Sequence, residues 1–166
     1  MIRLLGVLLI FSACCSVGMN MSLGMKKKLE RLNLFRRMTD ETATLIRYRS
    51  LTVREIFLLL KQNDAYSDLL FLHNADFSDK SRPVGEIWQE SIYSDFTLSN
   101  EEKKLLIQFG RRLGTTDTEG QLSVISVFNE SLDSMIEKQT EKYAVKGKLC
   151  RSMGILAGAM AGILII

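Results

Sequence analysis

Proline and histidine each occur once in this 166-residue chain, as Pro83 and His73, and none of its three cysteines lies between Cys15 and Cys150. Cysteines confined to Cys14, Cys15 and Cys150 leave the middle of the chain without a disulfide framework. A lone histidine with no cysteine, second histidine or paired carboxylate at ligand spacing gives no zinc cluster, since Asp76 falls in a loop. His73 reads instead as a helix-end residue, where a cationic ring suits the dipole. There is no G-x-x-x-x-G-K-[ST] loop, so nucleotide hydrolysis cannot be assigned to the chain itself and any energy must come from a partner. Hairpin turn signals, internal repeats and low-complexity tracts are missing too, and no strand candidate survives.

What the chain does have is apolar ends. Ile2 to Met25 and Leu149 to Ile166 flank a polar middle. A bilayer core of ~30 Å needs roughly 20 apolar residues at a helical rise of ~1.5 Å each. The first stretch is long enough. The second is marginal, because Arg151 lies inside it and must reach the headgroups along its own aliphatic stem. The expected domains are therefore a transmembrane helix at 2–25, a cytoplasmic helical bundle at 26–148 and a second transmembrane helix at 149–166.

The formal charge of +3 hides a division. Lys26, Lys27, Lys28, Arg31, Arg36 and Arg37 crowd the exit of the first span, and Lys142, Lys146, Lys148 and Arg151 precede the second. Between them Met38 to Glu141 holds 11 basic and 18 acidic residues, 11 − 18 = −7. The positive-inside bias places both inner flanks, and hence the middle, on the cytoplasmic side of the cell membrane. The basic collars suit the anionic headgroups of the lipid bilayer. An acidic body argues against nucleic acid, which is bound through clustered Lys and Arg.

Helical periodicity continues from Lys26 to about Arg49 through Leu29, Leu32, Phe35, Met38, Leu45 and Ile46. Thr52-Val53-Arg54-Glu55 is a capping box that opens a second helix over Ile56 to Leu60. Asn63 and Asp64 interrupt it, and Ala65 to His73 predicts a short third helix. Asn74 to Arg82 is a loop closed by Pro83 at a first helical position. Val84 to Ser94 follows as a fourth helix with Val84, Ile87, Trp88 and Ile92 on one side. Ser99-Asn100-Glu101-Glu102 is another capping box, opening a fifth helix through Leu105, Leu106, Phe109 and Leu113 that Gly114 ends in a left-handed turn. Leu122, Ile125, Phe128, Leu132, Met135, Ile136 and Tyr143 predict one long last helix. The expected fold is all-α: a membrane-anchored bundle of about six helices, the first and last continuous with the terminal spans.

No catalytic, cofactor-binding or metal-ligating set emerges, and Glu101-Glu102 reads as ordinary helix-start acid. Trp88 reads as core, with partner anchoring as the sharper alternative. Gly154, Gly158 and Gly162 recur at every fourth position beside Ala157 and Ala161, a small-residue face for helix packing in lipid. Its partner is either the first span, with Gly6, Ser12, Ala13 and Gly18, or another subunit in a homo-oligomer.

Residues 106 to 121 read L-x-x-F-G-x-x-L-G-x-x-D-x-x-x-Q, formed by Leu106, Phe109, Gly110, Leu113, Gly114, Asp117 and Gln121. With the basic exit of the first span, Ile46-x-Tyr48, Ile87-Trp88-x-x-Ser91 and the hydrophobic tail, this ordered set resembles the stage III sporulation protein AB family of endospore-forming bacteria. The chain departs from the family pattern at Leu45, where an acidic residue is usual, and at Arg49 to Thr52, which lack the usual proline and glycine. The resemblance implies a non-enzymatic scaffold in the channel-like assembly joining mother cell and forespore. Its helical domain would face the mother-cell cytoplasm at the outer forespore membrane. It implies likeness to the cytoplasmic domains of the type II secretion inner-membrane platform. Partners would be a cytoplasmic ATPase resembling stage III sporulation protein AA and other membrane subunits of the complex.

Read physically, Phe109 and Leu113 are core positions, Gly110 and Gly114 permit close approach or chain reversal, and Asp117 caps the next helix, with Gln121 in its first turn. An alternative of another class starts from Phe11-Ser12-Ala13-Cys14, which loosely resembles a bacterial lipoprotein cleavage box. Cys14 would then be acylated and the chain would be an exported, extracytoplasmic binding module.

Overall fold

The computed structural model describes residues 2–49, 51–147, 149, 152, 153, 156 and 160, with the side chains of 2–11, 14, 15 and 147 outside that set. In chain order the helices are α1 (Ile2–Arg49), α2 (Val53–Gln62), a 3-10 turn (Asp64–Tyr66), α3 (Leu70–Asn74), α4 (Val84–Ser94), α5 (Asn100–Arg112) and α6 (Thr118–Lys142), followed by a π-helical turn at Tyr143–Gly147. No strand occurs among the described residues, so the fold is all-α with six α-helices. Among the described residues no helix is long and apolar enough to cross a membrane. The packing face predicted at Gly154, Gly158 and Gly162 lies outside the described residues, as does most of 149–166.

Two compact units divide the chain, one made of Met1–Leu32 with Ser134–Ile166 and the other of Asn33–Asp133. In the first unit Gln139 Nε2 donates to the Met25 carbonyl at 3.0 Å, and both Ser22 and Gln139 are buried. Val17, Met19, Met21 and Leu23 on α1 are exposed, as are Leu149, Met153, Leu156 and Met160.

The second unit holds a core of aromatic and aliphatic side chains. Both predicted capping boxes are present: the Thr52 and Ser99 hydroxyls accept from the Glu55 and Glu102 amides, and each glutamate reaches back to its cap amide at 2.8 Å. These pairings satisfy orphan donors locally, so four-residue signals suffice to start α2 and α5. Apolar faces of those helices then bury Ile56, Phe57, Leu60, Leu106 and Phe109. Polar contacts register α1 on α6: Thr39 Oγ1 donates to Asn129 Oδ1 at 2.6 Å, Asn129 Nδ2 to Asp40 Oδ1 at 3.3 Å, and Arg36 Nε to Asp133 at 3.0 Å.

Three boundaries differ from expectation. The single third helix predicted over Ala65 to His73 is split into the 3-10 turn and α3. Asn63 takes the Ala65 amide with its side chain, Tyr66 is drawn to Glu41, and Leu69 sits at φ −89°, ψ 83°, outside helical geometry. Pro83 is the residue before α4 rather than its first residue, because ψ 137° turns its carbonyl to accept from the Glu86 and Ile87 amides. Leu113 likewise leaves α5, with ψ 132° at the C-cap, before Gly114 reverses the chain at φ +80°.

Tyr66 Oη donates to Glu41 Oε2 at 2.5 Å and its ring is 2 % exposed. Burial first, then the hydrogen bond to Glu41, raises the phenol above its ordinary range. A raised native value means the unfolded phenol releases its proton first, so this contribution is complete below pH ~10 and is lost as pH rises toward the native value. Alkaline titration followed at 295 nm should show one of the four tyrosines ionising only with unfolding. Tyr66→Phe should leave the signal before unfolding unchanged, and a reduced early amplitude in that variant would contradict the assignment.

Candidate functional site

Trp88 stands on the inner face of α4 and is 1 % exposed. Its ring stacks on Phe57 of α2, with centroids 4.4 Å apart and planes at 14°, and meets Phe71 of α3 edge-on at 5.2 Å. Phe109 of α5 tilts against it at 6.1 Å and passes the contact to Phe128 of α6 at 4.6 Å. Phe35 of α1 joins through Phe71 at 5.9 Å. One connected set of rings thus draws on every helix of this unit. Burying an indole of roughly 150–250 Å² contributes about 4–6 kcal/mol at ~25 cal/mol per Å², an upper bound that exceeds any single hydrogen bond here.

The indole also has a polar end. Trp88 Nε1 donates to the Leu106 carbonyl of α5 at 2.7 Å. Such an approach to helix backbone needs a residue without a side chain at the contact, and Gly110 supplies it. A Cβ there would lie 2.2 Å from Trp88 Cδ1 and 2.5 Å from Nε1. Close by, the point where a Gly85 Cβ would stand is 3.9 Å from the Gly110 carbonyl, so α4 and α5 nearly meet backbone to backbone.

The rest of the motif builds the turn from α5 to α6. Leu113 is buried at the C-cap, and Gly114 follows at φ +80°, a region that L side chains rarely enter. Its missing Cβ also clears Val53 Cγ2, which would be 2.8 Å away. Asp117 then starts α6, its Oδ1 accepting from the Gly120 amide at 3.1 Å and its carbonyl from the Gln121 amide at 2.9 Å. Gln121 Nε2 folds back to the Thr116 carbonyl at 3.1 Å. Every motif side chain is engaged in packing or turn formation.

Two organising residues carried no sequence motif. Asp95, 3 % exposed, accepts the Thr97 amide and hydroxyl on Oδ1 and the Phe71 amide on Oδ2 at 3.2 Å. It caps α3 across the fold, where Leu69 offers no side-chain acceptor. The Asp95-x-Thr97 spacing signals the local turn, but nothing in it points to Phe71. Arg54, inside the first capping box, donates to the carbonyls of Phe77, Asp79 and Arg82 at 2.6–2.8 Å and so holds the loop after α3. His73 lies in the last turn of α3, its Nε2 buried without a hydrogen-bond partner among the described residues.

Outside the core, α4 and α5 border an open groove of about 690 Å³. Gly85 and Gly110 line it with Gln89, Tyr93 and Arg111. Among the described residues no group of three His, Cys, Asp or Glu side chains is placed to hold a metal ion.

Gly110→Ala should destabilise the unit by about 1–3 kcal/mol: overpacking costs about 1–3 and the strained indole hydrogen bond about 1, against a helix-propensity gain of about 1. Chemical unfolding with unchanged m-value should report it, and in a Trp88→Phe background the same substitution should cost less. Equal costs in both backgrounds would deny the contact its role. Arg54→Met should open the 76–82 segment to limited proteolysis, with Arg54→Lys intermediate because an ammonium cannot fork to three carbonyls.

Among curated proteins and solved structures none matches the chain. The family described as stage III sporulation protein AB matches over residues 3–166, nearly the whole length, and includes the Trp88 helix and the motif that packs against it. On that match the chain belongs to the stage III sporulation protein AB family.

Proposed function

We propose that this sporulation protein is a non-enzymatic scaffold, anchored in the mother-cell membrane that faces the forespore. Its helical body lies in the cytoplasm, docking an ATPase subunit and other membrane subunits of one complex. The observation that carries the reading is the use of the family motif. Gly110, Leu113, Gly114, Asp117 and Gln121 serve packing and a turn, so the signature preserves a shape. Anchoring is supported by the apolar residues 2–25 and 149–166, by the lysines and arginines on their inner flanks, and by exposed Val17, Met19, Met21 and Leu23. Small residues at Gly154, Gly158 and Gly162 suit packing against a second helix in lipid. Likeness to the type II secretion platform belongs to this reading as its mechanical template.

Docking is expected to use the acidic exterior of the body. In a pull-down of the full chain with the ATPase subunit, reversing exposed Asp64, Asp68 and Asp76 to lysine should weaken capture, and more so at low salt. Undiminished capture across these variants would refute electrostatic docking. An alkaline phosphatase fusion after Gln139 should be inactive; activity outside the cell would replace this topology with that of an exported lipoprotein.

A further inference from the structure

The unit made of the two chain ends has a register that fixes which residues stand level with one another. α1 and α6 run in opposite directions: Thr39 meets Asn129, and Arg36, earlier on α1, meets Asp133, later on α6. In the unit of the chain ends the pairing is Gln139 with the Met25 carbonyl at 3.0 Å. The seam continues past it, since Ser22 and Gly18, about one and two turns earlier on α1, are buried and Tyr143, about one turn later on α6, is half-buried. Lys142 and Lys146 stand about 5 and 10 Å past Gln139 at ~1.5 Å per residue, which sets them level with Ser22 and Gly18. That level lies inside the apolar run 2–25 rather than beyond it.

The outward surface at this level is mixed. Beside the seam α1 exposes Val17, Met19, Met21 and Leu23, and with them Ser16 and Asn20. On α6 and the π-helical turn Lys142, Val145 and Lys146 are exposed. Glu141 is exposed too, but it stands about 200° around the helix from Gln139 and so points away from α1, while Lys142 is only about 60° off the seam. Two ammonium groups and an amide are costly in hydrocarbon, and four large apolar side chains on one short stretch of helix form a patch that water disfavours. The headgroup layer of a bilayer accommodates both, favours a tyrosine such as Tyr143, and offers phosphates to the lysines.

We propose that the inner headgroup layer of an anionic bilayer girdles this unit at residues 17–24 of α1 and 142–146 of α6, leaving residues 2–16 of α1 to enter hydrocarbon. The partner is a phospholipid surface of net negative charge. Lys142 and Lys146 bind its phosphates, and Met19, Met21 and Leu23 lie among the glycerol esters. Lys26, paired with Glu30 at 3.4 Å, then stands with Lys27 and Lys28 on the water side of that layer. Residues 2–16 cover ~22 Å of a ~30 Å core, a mismatch met at modest cost by local thinning and by lysine stems stretched toward water. The inference rests on the anchoring part of the scaffold reading and moves the membrane boundary about two turns from the end of the apolar run at Met25.

The test uses the full chain, with Cys14, Cys15 and Cys150 replaced by alanine, in nanodiscs of mixed phosphatidylcholine and phosphatidylglycerol. Single cysteines at Leu9, Ala13, Met19, Met21 and Lys27 carry a nitroxide whose contact with oxygen and with a water-soluble nickel chelate reports depth. Leu9 is expected to be deepest, Ala13 ~6 Å shallower, Met19 and Met21 at headgroup level ~15 Å or more from Leu9, and Lys27 in water. If Ala13 is deepest and Met19 matches Leu9, the whole of 2–25 is embedded: the boundary falls while the anchor stands. A water-exposed label at Leu9 removes the anchor and the inference together. Lys142→Glu combined with Lys146→Glu should move the Met19 and Met21 labels outward by about one turn, ~5 Å, in these discs and leave them in place in pure phosphatidylcholine, with the thermal unfolding midpoint unchanged. Unmoved labels in the phosphatidylglycerol discs, or equal movement in both lipids, would overturn the assignment of these lysines to anionic headgroups.

Discussion

The indole of Trp88 lying on the bare backbone of Gly110 is the constraint from which the helical body is organised. Because the ring must reach α5 to give its proton to Leu106, α4 is held at close range there. That leaves the ring's faces and edge to Phe57, Phe71 and Phe109, which come from three other helices. A hydrogen bond alone is worth about 1 kcal/mol net, and the surrounding burial several times more. Area supplies the stability, while the N–H sets the orientation in which that area is buried.

Turn chemistry then converts this packing into a chain path. Gly114 reverses direction after α5 in a conformation that L side chains rarely adopt, and Asp117 restarts the helix with one carboxylate oxygen and its own carbonyl. Between α3 and α4 the task is harder, since the connection is long and polar. Three carbonyls of that loop converge on Arg54, and Asp95 supplies from the far end of α4 the cap that α3 lacks. On the outer side of these helices Arg111 of α5 holds Gln89 of α4 and Lys103 holds the Tyr93 carbonyl, beside the exposed rings of Tyr93 and Phe96.

Local signals were readable because their partners are three or four residues apart. The boxes at Thr52 and Ser99, the left-handed Gly114 and the cap at Asp117 each follow from interactions within one turn. Where expectation failed, the deciding partner was distant. Ala65 to His73 has helical composition, yet Glu41 and Asp95 hold Tyr66 and the Phe71 amide in positions that an unbroken helix does not provide. Gly110 was legible as a small residue near a helix end, but not as the seat of an indole twenty-two residues earlier in the chain.

Charge pattern, apolar ends, helix content and the family signature were determined by the sequence by itself, since each depends on composition or on spacing along one helix. Only the tertiary structure decided which amide Asp95 caps, that Trp88 sits on Gly110, and that Arg111 reaches Gln89 while Lys103 reaches the Tyr93 carbonyl. The physical reason is that burial is a collective property. A side chain is core or surface according to what the other helices leave uncovered, and no short segment carries that information.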